Sequence, residues 1–480
     1  MVIALDVGTS SARAAFYDGH GRAIAGRSHQ VHYTPRLTRD GGVEHDARQL
    51  LEAVVACLDA IHPNRPPEDT RAVGIATFWH GLLGFDAGGR PITPVYMWAD
   101  TRSSREAQIL QSALDDEAFH ARTGCHLHSS YWPAKLRWLA REHPAESGRV
   151  ARWGSFGEFL ELSLFGEATT SVSMASGTGL VDQTTGRWDV EAMAAAEVDP
   201  HSLFPLSDRT EPRRGLRAPW TSRWPALRTA TWFPAVGDGA ASNVGSDCVD
   251  PTRIALNVGT SAALRFVTRE QPVPPRGLWR YRVDRNHAIV GGATSEGGNI
   301  YAWCRRVLRL GSDEEIETAL TSLPPDDHGL TILPHLAGER APGWRDGRRG
   351  AISGLRLDTS GVEIVRAALE SVALRLAAVY GLLAPSAARD HTIVASGAAL
   401  GHSRAWTQII ADAIGHPVAW SIEPEATSRG AALLALEALG VLPDLASARQ
   451  PIGETFVPQP AHHIRYREAL ERQRRLDERV

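Results

Sequence analysis

One short pattern occurs in both halves of the chain and restricts the folds that the chain can adopt. The first copy is Asp6-Val-Gly-Thr-Ser10 and the second is Asn257-Val-Gly-Thr-Ser261, each between two runs of apolar and β-branched residues. A glycine turn between two such runs predicts a β-hairpin. Because the element recurs, we expect a duplicated architecture with one hairpin in each half, the halves being residues 1–245 and 246–480.

Apolar spacing and turn residues predict the elements that surround the two hairpins. In the first half, the Asp18-Gly-His-Gly21 turn leads into a strand, and Asp46 is predicted to cap a helix. The C-terminal segment is interpreted as a charged helix with a solvated face. We expect strands at 2–7, 12–17, 22–33, 73–77, 233–236, 330–334 and 392–395, helices at 297–310, 361–383, 403–414, 427–438 and 465–480, and a long surface loop at 205–228.

The composition is typical of a globular protein and excludes several classes of function. The chain has 480 residues, 43% hydrophobic and 22% charged, with a net charge of −4. This charge gives no basic surface for nucleic acid, although a pocket for a small anion needs only local charge. There is no leader-like N-terminus and no apolar run near the ~18 residues of a membrane span. We therefore expect a cytoplasmic protein with reduced cysteines and no membrane partner.

Lysine usage excludes one type of nucleotide site. Lys135 is the only lysine, and it lies in Trp-Pro-Ala-Lys-Leu. A P-loop requires a lysine directly after its second glycine. Any phosphate binding must therefore use backbone amides, hydroxyl groups, arginine and a metal ion held by carboxylates.

The first hairpin has the chemistry of an anion site. Its glycine turn directs N–H groups and the hydroxyls of Thr9 and Ser10 toward one point. Asp6, at the end of the preceding strand, is placed to hold Mg²⁺ beside a phosphate, and Arg13 can reach the same phosphate bidentately. The alternative is a tight turn in which Asp6 only accepts hydrogen bonds.

Asp238 lies between two glycines at the predicted start of a helix. One interpretation is an N-cap. The other is a catalytic base that accepts the proton of an attacking hydroxyl, as phosphoryl transfer requires.

Two aromatic and polar segments are candidates for a substrate site. One contains His80, and the other is Trp98-x-Asp100-x-Arg102. Aromatic faces beside an acid and a base suit a polyhydroxylated ligand. For His80 alone, a loop histidine with satisfied hydrogen bonds is the alternative.

With these residues in view, the chain resembles the FGGY carbohydrate kinases. The likeness extends over about residues 2 to 440, and no single motif carries it. The family's motifs occur in order: Asp6-Val-Gly-Thr-Ser, His80-Gly, Trp98-x-Asp100-x-Arg102, Lys135-x-x-Trp-Leu, Gly237-Asp-Gly, Asn257-Val-Gly-Thr, Gly338-Glu-Arg-x-Pro and Gly350-x-Ile-x-Gly-Leu. The resemblance implies an α/β fold of two actin-like, ribonuclease-H-like lobes with a cleft between them.

The resemblance also implies roles for individual residues. Asp238 would be the catalytic base, and Asp6 the carboxylate on the side of the metal and phosphates. The cofactors would be ATP and Mg²⁺, the substrate a small sugar or sugar acid, and the assembly a homodimer. The residues implied at the nucleotide are Asp6, Thr9, Ser10, Arg13, Gly259, Thr260 and Gly397, and those implied at the sugar are His80, Trp98, Asp100, Arg102 and Asp238.

Within the family the likeness is to gluconate kinases, through segments such as 154–160, 175–180 and 334–342. The alternatives are a kinase for xylulose, ribulose or glycerol, a catalytically silent sugar sensor and, from another class, an actin-like or chaperone-like ATPase. Phe78-Trp79 replaces the Gln-Met of ketopentose kinases, which predicts an altered sugar pocket. Gly397 stands where a glycine pair is usual, which predicts a narrower nucleotide site.

Overall fold

The computed structural model describes residues 1–61, 70–270 and 272–480. The strands are β1 Val2–Val7, β2 Ser11–Tyr17, β3 Ala23–His32, β4 Arg36–Leu37, β5 Val43–His45, β6 Ala72–Thr77, β7 Leu83–Phe85, β8 Val95–Tyr96, β9 Arg152–Gly154, β10 Thr170–Ser171, β11 Val181–Asp182, β12 Arg187–Trp188, β13 Leu206–Ser207, β14 Thr231–Trp232, β15 Val236–Gly237, β16 Arg253–Val258, β17 Ala262–Thr268, β18 Trp279–Arg282, β19 Ala288–Thr294, β20 Thr331–Leu333, β21 Ala351–Ser353, β22 Thr392–Ser396, β23 Val418–Ser421 and β24 Ile452–Phe456.

The α-helices alternate with these strands in both halves. They are α1 Ala47–Ile61, α2 Ser104–Ala113, α3 Asp116–Thr123, α4 Trp132–Glu142, α5 Pro144–Ser147, α6 Phe156–Phe165, α7 Val172–Ser176, α8 Val190–Ala195, α9 Trp220–Arg223, α10 Asp238–Gly245, α11 Gly298–Val307, α12 Asp313–Ser322, α13 Gly361–Leu383, α14 Ala398–Gly401, α15 Arg404–Ile414, α16 Ala426–Ala438 and α17 Pro460–Arg479.

The duplication that the sequence predicts is present in the two large sheets. In the first, β1 pairs antiparallel with β2 and parallel with β6. In the second, β16 pairs antiparallel with β17 and parallel with β22. The sheet orders are β14-β6-β1-β2-β3, with β15 also on β6, and β18-β19-β17-β16-β22-β23-β24. Each hairpin therefore occupies the same place in its sheet, which confirms the two-lobe α/β fold class.

Two helices cross where the lobes meet. A Cβ atom on Gly245 of α10 would lie 1.7 Å from the carbonyl oxygen of Ala426, and one on Gly430 of α16 would lie 1.8 Å from that of Ala241. The backbones can approach this closely only because both positions lack a side chain. Helix α16 also lies against the first sheet, where a Cβ on Gly74 would be 2.2 Å from the carbonyl oxygen of Ala431. The second half of the chain thus contributes a helix to the first lobe.

Several sequence-based expectations differ from the structure in detail. The C-terminal helix α17 begins at Pro460 and buries one side, including Tyr466 and Gln473, so it is not simply a solvated face. Of the expected strand at 233–236, only Val236 lies in a strand, because residues 233–235 connect β14 to β15; the segment 205–228 contains β13 and α9. Asp238 is the first residue of α10, and Gly237 is the N-cap. These differences follow from tertiary packing, which local patterns do not report.

Among the described residues, one helical segment, Gly361–Ser386, is long and apolar enough to cross a membrane. It includes α13, whose residues Val365, Leu369, Val372 and Leu376 are buried inside the second lobe. A core helix has this composition because it is surrounded by protein on most sides.

Candidate active site

A cavity of about 170 Å³ lies between the lobes and is lined by residues from both halves of the chain. His80, Trp98 and Asp238 line it from the first half, and Arg265 and Arg340 from the second. A larger groove of about 970 Å³ lies between α13, α15 and α17. None of the residues predicted from the sequence to be functional lines that groove, so the interlobe cavity is the candidate active site.

Asp238 lies in this cavity at the start of α10. The amide of Gly237 donates to the Ser173 hydroxyl over 3.1 Å, and the amide of Gly239 donates to the Asp238 carboxylate over 2.8 Å. These bonds fix the strand-to-helix turn that carries the carboxylate. Burial raises the pKa of Asp238, and the charge of Arg265 opposes this rise. A carboxylate with these neighbours can accept a proton from a hydroxyl group bound in the cavity.

Asp6 lies near Asp238 at the end of β1. Burial raises its pKa to about 7, and the negative charges of Asp238 and Glu425 contribute to the rise. The predicted phosphate ligand Arg13 forms an ion pair of 2.7 Å with Glu425 and also donates to Gln30 over 2.7 Å. The charges that act on Asp6 itself are therefore two carboxylates, Asp238 and Glu425, and one arginine, Arg13, and carboxylate oxygens are ligands that suit a divalent cation.

In both hairpin turns the glycine amide donates to a carbonyl further along the turn, but the accepting residues differ by one position. In the first, the Gly8 amide donates to the Ser11 carbonyl over 2.9 Å, and Thr9 and Ser10 lie in the turn. In the second, the Gly259 amide donates to the Ser261 carbonyl over 3.0 Å. Ser10 is exposed and Thr9 is partly exposed, so both remain accessible to a ligand.

Glycine-rich segments meet beside the second hairpin. The Gly298 amide donates to the Gly259 carbonyl over 2.7 Å, and the Asn299 amide to the Thr260 carbonyl over 3.2 Å. Gly397, at the end of β22, has a φ of 106°, and a Cβ there would lie 2.4 Å from the Val258 carbonyl oxygen. A helix N-terminus and turns without side chains form a surface on which phosphates can approach the backbone.

His80 has an unusual backbone conformation for a residue that is not glycine, with a φ of 67°. Its Nδ1 atom lies 2.6 Å from the carbonyl oxygen of Gly177, and burial lowers its pKa well below the usual value. The ring is therefore neutral, with Nδ1 as the donor and Nε2 as an acceptor. His80 fits both interpretations of the sequence, because it has a satisfied bond on one side and lines the cavity on the other.

The structure does not bring Asp100 and Arg102 to the cavity lining. Arg102 forms ion pairs of 2.5 Å with Asp100 and 2.6 Å with Glu44, and its guanidinium lies 4.6 Å from the centre of the Trp138 ring. Trp98, from the same motif, does line the cavity. The pair therefore lies outside the cavity lining, and its charges are satisfied by each other and by Glu44.

Lys135 is buried and also lies outside the cavity lining. Its Nζ donates to the Ser130 carbonyl over 2.8 Å and to the His80 carbonyl over 3.3 Å. Burial lowers its pKa to about 7. The lysine supports the strained backbone at His80 without lining the cavity.

Sequence reasoning gave no role to Arg265 or Arg340, although both line the cavity. The one available signal for Arg265 was an arginine within the apolar strand β17, where a buried charge is unusual. Arg340 lies in the Gly-Glu-Arg segment that was noted only as a family motif.

The chain is similar to known proteins over most of its length. Residues 1–245 match the N-terminal domain of the FGGY family of carbohydrate kinases, and residues 254–439 match its C-terminal domain. Gluconokinase of Bacillus subtilis is 26% identical over 96% of this chain and 91% of its own length. Glycerol kinase of Rhizorhabdus wittichii is 32% identical over 91% of this chain and 88% of its own length.

The fold is also that of solved relatives. The gluconate kinase structure from Lactobacillus acidophilus has a TM-score of 0.91, with 24% identity, and the match covers 99% of this chain and 97% of the other. Both domain matches favour an enzyme over the actin-like or chaperone-like ATPase considered from the sequence. The chain belongs to the FGGY family of carbohydrate kinases.

Proposed function

We propose that the protein transfers the γ-phosphoryl group of ATP to the terminal hydroxyl of gluconate and so forms 6-phosphogluconate. The observation that carries this proposal is the position of Asp238, in a cavity that the second hairpin and two arginines, Arg265 and Arg340, also line. The likeness to gluconokinases supports the choice of acceptor. The cationic lining supports it too, because gluconate carries a negative charge.

Asp238 is the proposed base. It orients the acceptor hydroxyl and takes its proton as the oxygen attacks the γ-phosphorus, while ADP leaves with the electrons of the broken bond. The charge of Arg265 opposes the rise in the pKa of Asp238, so Arg265 favours the ionised form that a base requires. A positioned base of this kind contributes about 10²–10⁴ to the rate.

Asp6 is the proposed metal ligand, directly or through water. The carboxylates of Asp238 and Glu425 near it fit Mg²⁺, whose preferred ligands are oxygens. Mg²⁺ would neutralise negative charge on the phosphate oxygens. The turn residues Thr9, Ser10, Gly259 and Thr260, together with Arg13, would hold the phosphates, and Gly397 would lie under the adenosine.

Two cavity walls exclude water from the reacting groups. One is aromatic, with Trp79, Trp279 and Tyr281 in contact: the Trp279 and Tyr281 rings stack at 4.1 Å. The other wall lies at the start of α10, where the Trp79 ring packs directly on Gly237. A Cβ on Gly237 would lie 1.9 Å from that ring. Exclusion of water is needed because water would otherwise accept the phosphoryl group.

The test is a coupled assay of ADP formation with purified protein, Mg²⁺ and ATP over a panel of acceptors. The panel contains gluconate, xylulose, ribulose and glycerol, and the product with gluconate is checked by mass spectrometry. We expect the highest kcat/KM with gluconate. A higher kcat/KM for any neutral acceptor would reject gluconate and retain the kinase.

A further inference from the structure

Three consecutive backbone carbonyls in the turn of the first hairpin are held by two residues from outside the hairpin. The Tyr33 hydroxyl donates to the Gly8 carbonyl over 2.7 Å, and the His45 Nε2 atom donates to the Thr9 carbonyl over 3.0 Å. The Tyr33 amide also donates to the Ser10 carbonyl over 3.0 Å. Tyr33 directly follows β3 and His45 ends β5, so the turn is connected to two separate strands.

The turn of the second hairpin is held at the first two of these positions, but by backbone donors. The Gly298 amide donates to the Gly259 carbonyl over 2.7 Å, and the Asn299 amide donates to the Thr260 carbonyl over 3.2 Å. Both donors lie at the start of α11. A substitution can remove a side-chain donor but not a backbone amide. The role of these bonds is therefore open to test in the first lobe.

Holding a carbonyl also fixes the direction of the amide that follows it. In a planar trans peptide the C=O and N–H groups point in opposite directions. The Gly8 carbonyl points to the Tyr33 hydroxyl, so the Thr9 amide points away from it. In the same way the Ser10 amide points away from His45. Neither amide has an acceptor among the described residues, and both are available to donate to an anion.

Both side chains are donors at neutral pH. Burial raises the pKa of Tyr33 above its usual value, so the phenol keeps its proton. Burial lowers the pKa of His45, so the ring is neutral. A neutral imidazole has one N–H, and here Nε2 carries it because a carbonyl oxygen only accepts. The two donors therefore orient the turn without adding charge to it.

Packing holds the two rings in place. Tyr33 is 8% exposed and His45 is 3% exposed, and their ring centres lie 5.3 Å apart in an edge-to-face contact. The His45 ring also stacks on Phe78, with 6.4 Å between the ring centres. Side chains whose rotamers are fixed by packing hold their hydrogen-bond partners in a defined geometry. The hydroxyl and Nε2 can therefore fix the two carbonyls.

We propose that Tyr33 and His45 are positioning residues for the phosphates of the nucleotide. By holding the Gly8 and Thr9 carbonyls, they direct the amides of Thr9 and Ser10 toward a phosphate, and they do not touch that phosphate themselves. This proposal rests on the proposed function, in which this turn holds phosphates of ATP. It does not depend on which acceptor the enzyme uses.

The test uses Tyr33→Phe, which removes the hydroxyl and keeps the ring. The matched control is Tyr380→Phe, which removes a hydroxyl bonded to His391 Nε2 over 3.0 Å in the second lobe. Titration calorimetry measures the Kd for ADP and for adenosine, with Mg²⁺ present. We expect Tyr33→Phe to weaken ADP binding about 10-fold, through loss of an orienting hydrogen bond, and to change adenosine binding by less than about 2-fold. The control is expected to leave both values unchanged.

His45→Leu and His45→Gln form a second pair of variants. Leucine has no donor, whereas the amide of glutamine can donate in place of Nε2. We expect His45→Leu to weaken ADP binding as Tyr33→Phe does, and His45→Gln to recover part of the loss. In both Tyr33→Phe and His45→Leu the KM for ATP should rise while the KM for the acceptor stays the same. Thermal unfolding shows whether each variant is folded, and if His45→Leu is not, Tyr33→Phe decides.

Two results would overturn the proposal. One is an equal loss of affinity for ADP and adenosine, because this would show that the two residues support the lobe as a whole. The other is a change of less than about 3-fold in the Kd of Tyr33→Phe for ADP, which is too small for an orienting hydrogen bond. If the wild type binds ADP more tightly than adenosine but does not phosphorylate gluconate, the choice of acceptor fails and this proposal stands.

Discussion

At the scale of single residues, the sequence predicts those cavity residues that stand in recognisable motifs. Asp238, His80 and Trp98 lie in one cavity, as expected from their motifs. Asp100 and Arg102 do not line it: they pair with each other, and Arg102 also pairs with Glu44, which local sequence does not reveal. The convergence of Arg265 and Arg340 on that cavity is equally invisible in a sequence, since it depends on which side chains the fold brings near.

Lys135 gives a prediction that the single lysine makes easy to measure. Burial lowers its pKa from 10.5 to about 7. Between these values the unfolded chain holds a proton that the folded chain has released, so this lysine makes the free energy of unfolding rise with pH in that window.

The measurement is the NMR titration of protein labelled with ¹³C at the lysine Cε. We expect one resonance with a midpoint near pH 7 in the folded state. A midpoint above pH 10 would show that the amine is solvated, and Lys135→Met identifies the signal by its disappearance.

At the scale of elements, the hairpins and most helices were predictable because their signals are local. The crossing of α10 and α16 was not, because it joins residues almost two hundred positions apart in sequence. It depends on Gly245 and Gly430, because a Cβ atom at either position would collide with the backbone of the other helix. That contact exists only in the folded protein.

Gly245→Ala tests this crossing. The added Cβ would lie 1.7 Å from a backbone oxygen, and backbone cannot move aside as a side chain can. We expect a loss of about 1–3 kcal/mol or more in the free energy of unfolding, measured by urea denaturation.

Gly381→Ala in α13 is the control for that experiment, because no atom lies within 4 Å of the added Cβ. Because alanine has a higher helix propensity than glycine, we expect the free energy of unfolding to rise by up to about 1 kcal/mol. Equal effects of the two substitutions would contradict a specific contact at the crossing.

Gly397→Ala tests the element that is proposed to lie under the adenosine. With a φ of 106° and the Val258 carbonyl 2.4 Å from the new Cβ, the turn must shift. We expect KM for ATP to rise by about 10-fold or more, a cost of about 1.4 kcal/mol in binding, with KM for the acceptor little changed. An unchanged KM for ATP would separate this turn from the nucleotide site.

At the scale of the whole molecule, each half of the chain supplies part of one site. The first half contributes Asp238 to the cavity and the proposed metal ligand Asp6, and the second contributes Arg265 and Arg340 to the cavity and the glycine turns around Gly259. The pattern that opens each half is duplicated, but Asp6 in one copy corresponds to Asn257 in the other. The duplication thus explains the fold, and the difference between the copies explains why the proposed metal ligand comes from the first lobe.

The central claim is that Asp238 deprotonates an acceptor while the rest of the molecule holds both substrates. The most direct measurement is kcat with gluconate for Asp238→Asn, together with the Kd for ATP by titration calorimetry. We expect kcat to fall by about 10²–10⁴ and the Kd for ATP to stay within about 3-fold of the wild type, since Asn keeps the shape of the side chain. A variant that retains most of its kcat would contradict the assignment of Asp238 as the base.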